Sequence, residues 1–127
     1  MNETKTILVA VSDIFFYTKI RDAFLTAGYK LERLRNSEDW KEKAVRSQPI
    51  GMIVNMNDDR LNAPDILKAL KASPQTASLP ILAFANHEEV GSWKLAKDLG
   101  IQKVVSRNEF SARTLALFEE LTSSTAS

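Results

Sequence analysis

"LKASPQTASLPILAFA", residues 70–85, contains the two patterns that decide the fold. Ile81-Leu82-Ala83-Phe84-Ala85 is an uninterrupted apolar run, too short for a typical helix and without polar alternation. That is how a strand reads when helices cover both of its faces. The residues before it close a helix that carries Ile66, Leu67 and Leu70, begins around Pro64 in its first turn and stops before Pro74. A helix, a short loop and a doubly covered strand in succession form part of a strand-helix repeat.

The same alternation extends in both directions. Ile7 to Val11 and Met52-Ile53-Val54 are further continuous runs, and "GMIVNMNDD", residues 51–59, ends one of them in a polar cluster. "YKLERLR", 29–35, and "IQKVVSR", 101–107, mix charges into their apolar residues, which places them at the sheet edges, where charge discourages pairing with another chain. Phe16, Ile20, Ala23, Phe24 and Ala27 recur at helical spacing before the stop at Gly28. Ser37 is the expected cap of a second helix through Ser47, ended by Pro49. Val90, Trp93, Ala96, Lys97 and Leu99 form a fourth helix closed by Gly100; Asn108 is the expected cap of a fifth, with Phe110, Leu117, Phe118 and Leu121 inward. Five strand-helix repeats with right-handed crossovers give an α/β, doubly wound five-stranded parallel sheet. Its sites lie outside the carboxyl ends of the strands. The tips to inspect are Val11-Ser12-Asp13, Asn55 to Asp59, Ala85-Asn86-His87 and Ser106-Arg107-Asn108.

Composition narrows the class. The 127 residues suit one domain, expected over 1–122 with a frayed tail at 123–127. An apolar fraction of 44 % and a charged fraction of 26 % are those of soluble globular proteins. Seventeen basic and sixteen acidic residues leave +1, so no whole-molecule field draws the chain to nucleic acid or anionic lipid. Cysteine is absent, which excludes disulfides, thiolate nucleophiles and cysteine-ligated metals. The run Ile7–Val11 is too short for an export signal and no stretch approaches a membrane span, so the cytoplasm is the expected location.

With these elements in place the chain resembles a receiver domain of bacterial two-component response regulators from about Thr6 to Leu121. "ILVAVSD", "PIGMIVN", "LKASPQTASLPILAFA" and "LGIQKVVSR" follow the order and approximate spacing of that family's landmarks. The resemblance implies a (βα)5, flavodoxin/CheY-like fold with strand order 2-1-3-4-5. It also implies a phosphate pocket: two acids after the first strand holding magnesium, an acceptor aspartate ending the third, a hydroxyl after the fourth and a lysine after the fifth.

This sequence departs from each of those positions. The acceptor falls on Asn55, whose amide cannot form an acyl phosphate. The hydroxyl falls on Ala85, and the lysine on Arg107, a planar fork in place of a compact ammonium. An aromatic switch residue of the family falls near Val104. Counting back from Gly28 puts the acid pair on Val11 and Ser12, while reading the strand end puts it on Ser12 and Asp13, so at most one acid remains. Magnesium, which takes carboxylates in near-octahedral geometry, is expected to bind poorly.

The expected function is therefore a degenerate receiver, a pseudo-receiver that signals through a protein partner without aspartyl phosphorylation, with no catalytic residue, cofactor or metal. The alternative is an atypical phosphoreceiver in a phosphorelay using Asp13 or Asp58. Asn55 reads most simply as a turn-capping amide, Asp58 and Asp59 as a loop or helix approach, and Arg107 as paired with Asp13 or Asp58. His87 reads as a solvated or capping loop residue, the only histidine present. A small-molecule or flavin site on the same sheet would need a glycine- or hydroxyl-rich phosphate loop after the first strand, where "VSDIFFYT" offers no glycine and bulky aromatics. DNA binding is not expected, since the chain ends just after the fifth helix. The resemblance places the interaction surface on the fourth helix, fifth strand and fifth helix, with Lys94, Asp98, Lys103 and Glu119 outward. Phe15 and Tyr17 flank the buried stripe of the first helix and extend a possible second surface.

Overall fold

The three continuous apolar runs form β1 (Thr6–Ala10), β3 (Gly51–Asn55) and β4 (Ile81–Ala85), and the two charged segments form β2 (Lys30–Arg33) and β5 (Lys103–Ser106). These coordinates are a computed structural model describing residues 5–58 and 60–125. All pairings are parallel and the order is β2-β1-β3-β4-β5, so the two charged strands are the edges. Helices α1 (Ile14–Thr26), α2 (Trp40–Ser47), α3 (Ala63–Ala72) and α4 (Val90–Asp98) connect successive strands, and α5 (Arg107–Ala112) and α6 (Thr114–Thr125) follow β5.

Period-two alternation divides the core into two layers. Leu8, Ala10, Met52, Val54, Ile81, Ala83 and Ala85 face one side with Ala44, Ile66, Leu67, Leu70 and Ala96 from α2, α3 and α4. Ile7, Val9, Ile53, Leu82, Phe84 and Val105 face the other with Ile20, Phe24, Phe110, Leu117 and Phe118 from α1, α5 and α6. The ring of Phe118 lies where a Cβ on Gly51 would stand, 2.7 Å away, so β3 begins with a residue that has no side chain. Gly28 ends α1 at φ 93°, with the Tyr29 amide donating to the Phe24 carbonyl at 3.0 Å, a left-handed stop that glycine adopts without steric cost.

Several local expectations need correcting. Ser37 is not a helix cap: α2 begins at Trp40, and Asn36 Oδ1 instead accepts from the amides of Glu38 and Asp39 at 2.8 and 2.9 Å. Asn108 is not a cap either. β5 runs directly into α5, and Ser106 caps it by accepting from the Glu109 amide at 3.0 Å. The single fifth helix is two helices, because Arg113 leaves helical geometry at φ −133°, ψ 35°. The last helix is described as far as Thr125, and residues 126–127 of the expected tail lie outside the described residues, so the expected boundary at 122 stands untested. No described helix is long and apolar enough to cross a membrane.

Candidate functional site

The carboxyl ends of β1 and β3 and the start of α1 enclose an open cleft of about 600 Å³ where the sheet topology predicts a site. Ser12, Asp13, Asn55, Asp58 and Arg107 all line it. Ala85 does not: its methyl is fully buried in the core layer of α2, α3 and α4.

Asp58 organises the cleft. Its Oδ2 accepts from the Ser12 amide at 2.7 Å, and its Oδ1 accepts from the Ser12 hydroxyl at 2.7 Å and from the amides of Arg60 and Leu61 at 2.9 and 2.8 Å. The carboxylate thus fastens the β3–α3 loop to the end of β1, 46 residues away in sequence. Burial pushes its pKa up, but the hydrogen bonds from Ser12, Leu61 and Arg60 outweigh it and hold the group below its ordinary 3.8. Asp59 lies outside the described residues.

Asp13 faces its own helix. It is the N-cap of α1, its Oδ1 accepting from the amides of Phe15 and Phe16 at 2.9 and 3.1 Å. Its Oδ2 stands 4.0 Å from Arg107 Nη2. Of the two partners considered for Arg107, Asp13 is the nearer carboxylate, and the guanidinium also lies 4.9 Å from the centroid of Phe16. Phe16 in turn stacks on Phe84, which stacks on Phe110. Asn55 closes a turn, its Oδ1 accepting from the Asn57 amide at 2.9 Å.

Two residues given no role from the sequence, Arg33 and Asn57, complete the arrangement. Arg33, at the end of β2, donates from Nη2 to the Ser12 carbonyl at 2.7 Å and from Nε to the Val11 carbonyl at 3.3 Å. It also lies over the Tyr17 ring at 4.7 Å. Asn57 is the other: its Nδ2 donates to Ser92 Oγ at 2.8 Å and its Oδ1 accepts from the Asn86 amide at 2.7 Å. Trp93 adds a third tie, Nε1 donating to the Asn86 carbonyl at 3.0 Å. The β3–α3 loop, the β4–α4 loop and α4 are thereby joined. His87 is exposed in that loop.

The magnesium that a receiver-like pocket implies does not fit this donor set. It needs carboxylate oxygens free to converge in an octahedron. Asp58 is already surrounded by donors, Asp13 caps α1, and Asn55 Oδ1 closes its turn. No group of three acidic or histidine side chains able to hold a metal occurs among the described residues.

On the α4–β5 face, Lys94 and Asp98 are exposed. Lys103 pairs with Glu120 at 3.2 Å, and Glu120 also pairs with Arg113, which meets Glu109 at 3.4 Å. The hydrogen bond from Lys103, together with Arg113, lowers the Glu120 pKa. Glu119 was expected on this face, but its Oε2 accepts instead from the Tyr29 hydroxyl at 3.3 Å, toward the end of α1. The acidic residue that meets Lys103 is Glu120. Phe15 is 87 % exposed at the cleft mouth, whereas Tyr17 is half-buried beneath Arg33.

No family model and no curated protein matches the sequence. Solved structures do match. The chemotaxis protein CheY4 of Vibrio cholerae superimposes with a TM-score of 0.81 at 16 % identity, over 94 % of this chain and 99 % of that one. The signal receiver domain of a histidine kinase from Syntrophus aciditrophicus gives 0.82 at 13 % identity, over 95 % and 92 %. The phosphorylated cyanobacterial phytochrome response regulator RcpA gives 0.73 at 15 % identity, over 95 % and 91 %. With its strand order and coverage, this chain has the fold of the response regulator receiver domains.

Proposed function

We propose that this chain is a signalling module of receiver type that acts by binding a protein partner and is not controlled by aspartyl phosphorylation. The observation that carries the reading is the engagement of the carboxylates: four donors surround Asp58, two amides hold Asp13, and the strand end that would supply an acceptor carries Asn55. Asp58 has no oxygen free of a donor, and Asp13 Oδ2, which accepts no hydrogen bond from a described residue, faces the Arg107 guanidinium at 4.0 Å, a cation that disfavours a metal beside it. The same fold carries phosphate in RcpA; here the residues that would form and sense it are replaced.

Acetyl phosphate or beryllofluoride with magnesium is expected to change neither the mass of the chain nor the fluorescence of Trp93, which is tied through Asn86 to Asn57 of the cleft lining. Asn55→Asp alone is expected to leave both readouts flat, because Ala85 still offers no hydroxyl and the metal is still unsupported. A magnesium-dependent gain of one phosphoryl group, mapped to Asp13 or Asp58, would overturn the reading in favour of an atypical receiver.

The partner surface proposed is the face of α4, β5 and α6. Its mixed charges suit selection among partners more than bulk affinity. Reversing Lys94 and Lys103 together to Glu is expected to weaken partner binding by at least about tenfold. The change loses the exposed pair with Glu120 and sets a like charge beside it, so the melting temperature should be nearly unchanged. Partner binding that survives this change but is lost on Phe15→Ala would move the surface to α1.

A further inference from the structure

Guanidinium groups outnumber carboxylates among the residues that line the cleft. Arg33, Arg60 and Arg107 line it, against Asp13 and Asp58. Hydrogen-bond counting sharpens the imbalance. Asp58 accepts from Ser12 and from its own loop, and Asp13 Oδ1 accepts from the first turn of α1, which leaves Asp13 Oδ2 as the one oxygen of these two carboxylates without a donor among the described residues. Arg33 uses two of its five N–H donors on the Val11 and Ser12 carbonyls. Arg107 stands 4.0 Å from the nearest carboxylate oxygen, beyond hydrogen-bond length, and neither its guanidinium nor that of Arg60 donates to an acceptor among the described residues.

Two of these groups are also held in place. Consecutive residues of α1 carry them, Tyr17 under Arg33 at 4.7 Å and Phe16 under Arg107 at 4.9 Å, and Phe16 is fixed by stacking on Phe84 at 4.9 Å. A guanidinium stacked on a fixed ring loses less freedom when it binds a ligand. Planar forks with unused donors match the oxygens of a phosphate group, to which arginine binds in bidentate fashion. The cleft, about 600 Å³, has the volume of a small-molecule site.

We propose that this cleft binds a phosphate group non-covalently, the oxygens held by Arg33 and Arg107 with Arg60 at the mouth. The ligand is free phosphate or the phosphate monoester of a mononucleotide. In the second case the exposed ring of Phe15, which also lines the cleft, stacks on the base. The proposal takes from the function proposed above only that no acyl phosphate forms.

The test is calorimetric titration of the whole chain with inorganic phosphate and with adenosine 5′-monophosphate, in EDTA, followed by intact-mass measurement. Saturable binding that weakens with salt is expected. Arg107→Gln should reduce affinity by about tenfold or more, since it removes charge-assisted hydrogen bonds. Arg21→Gln, on the exposed surface of α1, should change nothing. Tighter binding of the nucleotide, abolished by Phe15→Ala, identifies the mononucleotide as ligand; equal affinities identify phosphate. Absence of saturable binding by both probes at unchanged mass overturns this proposal alone. Binding insensitive to Arg107→Gln and to Arg33→Gln, in variants whose melting is cooperative, overturns it as well. A covalent mass gain on addition of acetyl phosphate with magnesium overturns instead the reading of the chain as unphosphorylated.

Discussion

Asp58→Ala is expected to lower stability by about 3 kcal/mol, making this carboxylate the most consequential side chain of the cleft. The alanine removes an acceptor shared by four donors and leaves the amides of Ser12, Arg60 and Leu61 to find water in a part-buried loop. The midpoint of thermal unfolding should fall by on the order of 10 °C for a chain of this size. Asp58→Asn keeps one carbonyl acceptor and should lose roughly half as much. The pH dependence follows from the depressed pKa. Because the folded-state value lies below the ordinary 3.8, the carboxylate's contribution is complete above the unfolded-state value and is lost as pH falls through the folded one. The wild-type chain should therefore lose stability relative to Asp58→Asn as pH drops below about 4. Equal stability of wild type and Asp58→Ala near neutral pH, measured by urea unfolding, would show that the four hydrogen bonds do not hold the two loops together.

The sheet was legible because its signals are redundant. Ile7–Val11, Met52–Val54 and Ile81–Ala85 are each continuous enough to require cover on both faces, and the charges of β2 and β5 mark the edges that the topology confirms. Helix starts were less legible, since several side chains compete for one cap. Ser106 and Asn108 both fit the pattern, and Ser106 prevails because β5 leads into α5 without a loop. Ser37 lost its role to Asn36, whose shorter turn holds the Glu38 and Asp39 amides before any helix begins. The break at Arg113 has no proline or glycine to announce it.

The cleft was legible only where sheet topology addresses it. Strand ends locate Ser12, Asp13, Asn55 and Arg107, but long-range pairing decides what each does, and the chain order carries no record of that. Arg33 did leave a trace. In β2, Leu31 and Arg33 share one face while Glu32 shares the other with Arg46 of α2. A charge on the Leu31 face at the carboxyl end of a strand is out of place for edge protection and in place for a site. Asn57 stands within the strand-end cluster, but its role left no trace, because a polar residue in a loop is ordinary until its two partners, Ser92 and the Asn86 amide, are seen 35 and 29 residues away.

Asn57→Ala is expected to release the β4–α4 connection. The side chain bridges that connection in both hydrogen-bonding senses, donating to Ser92 and accepting from Asn86, and Asn86 in turn holds the indole of Trp93. Alanine breaks both bonds and leaves a part-buried amide unpaired, a loss of about 2 kcal/mol. The effect should be local first: hydrogen-exchange protection of the Asn86 amide should fall more than tenfold, and Trp93 emission should shift toward that of a solvated indole. Asn57→Asp keeps the acceptor for Asn86 and loses the donor to Ser92, so it should fall between alanine and wild type. The reason reaches to function. The resemblance to receivers puts Asn55, Ala85 and Val104 at the acceptor, hydroxyl and aromatic positions, and the Asn57 amide spans the connection beside them. On the function proposed above, a module braced in this way presents one surface to its partner whether or not phosphate is present. Unchanged protection of Asn86 and unchanged Trp93 emission in Asn57→Ala would mean that the connection is held by the packing of α4 alone, and that the amide bridge does not brace it.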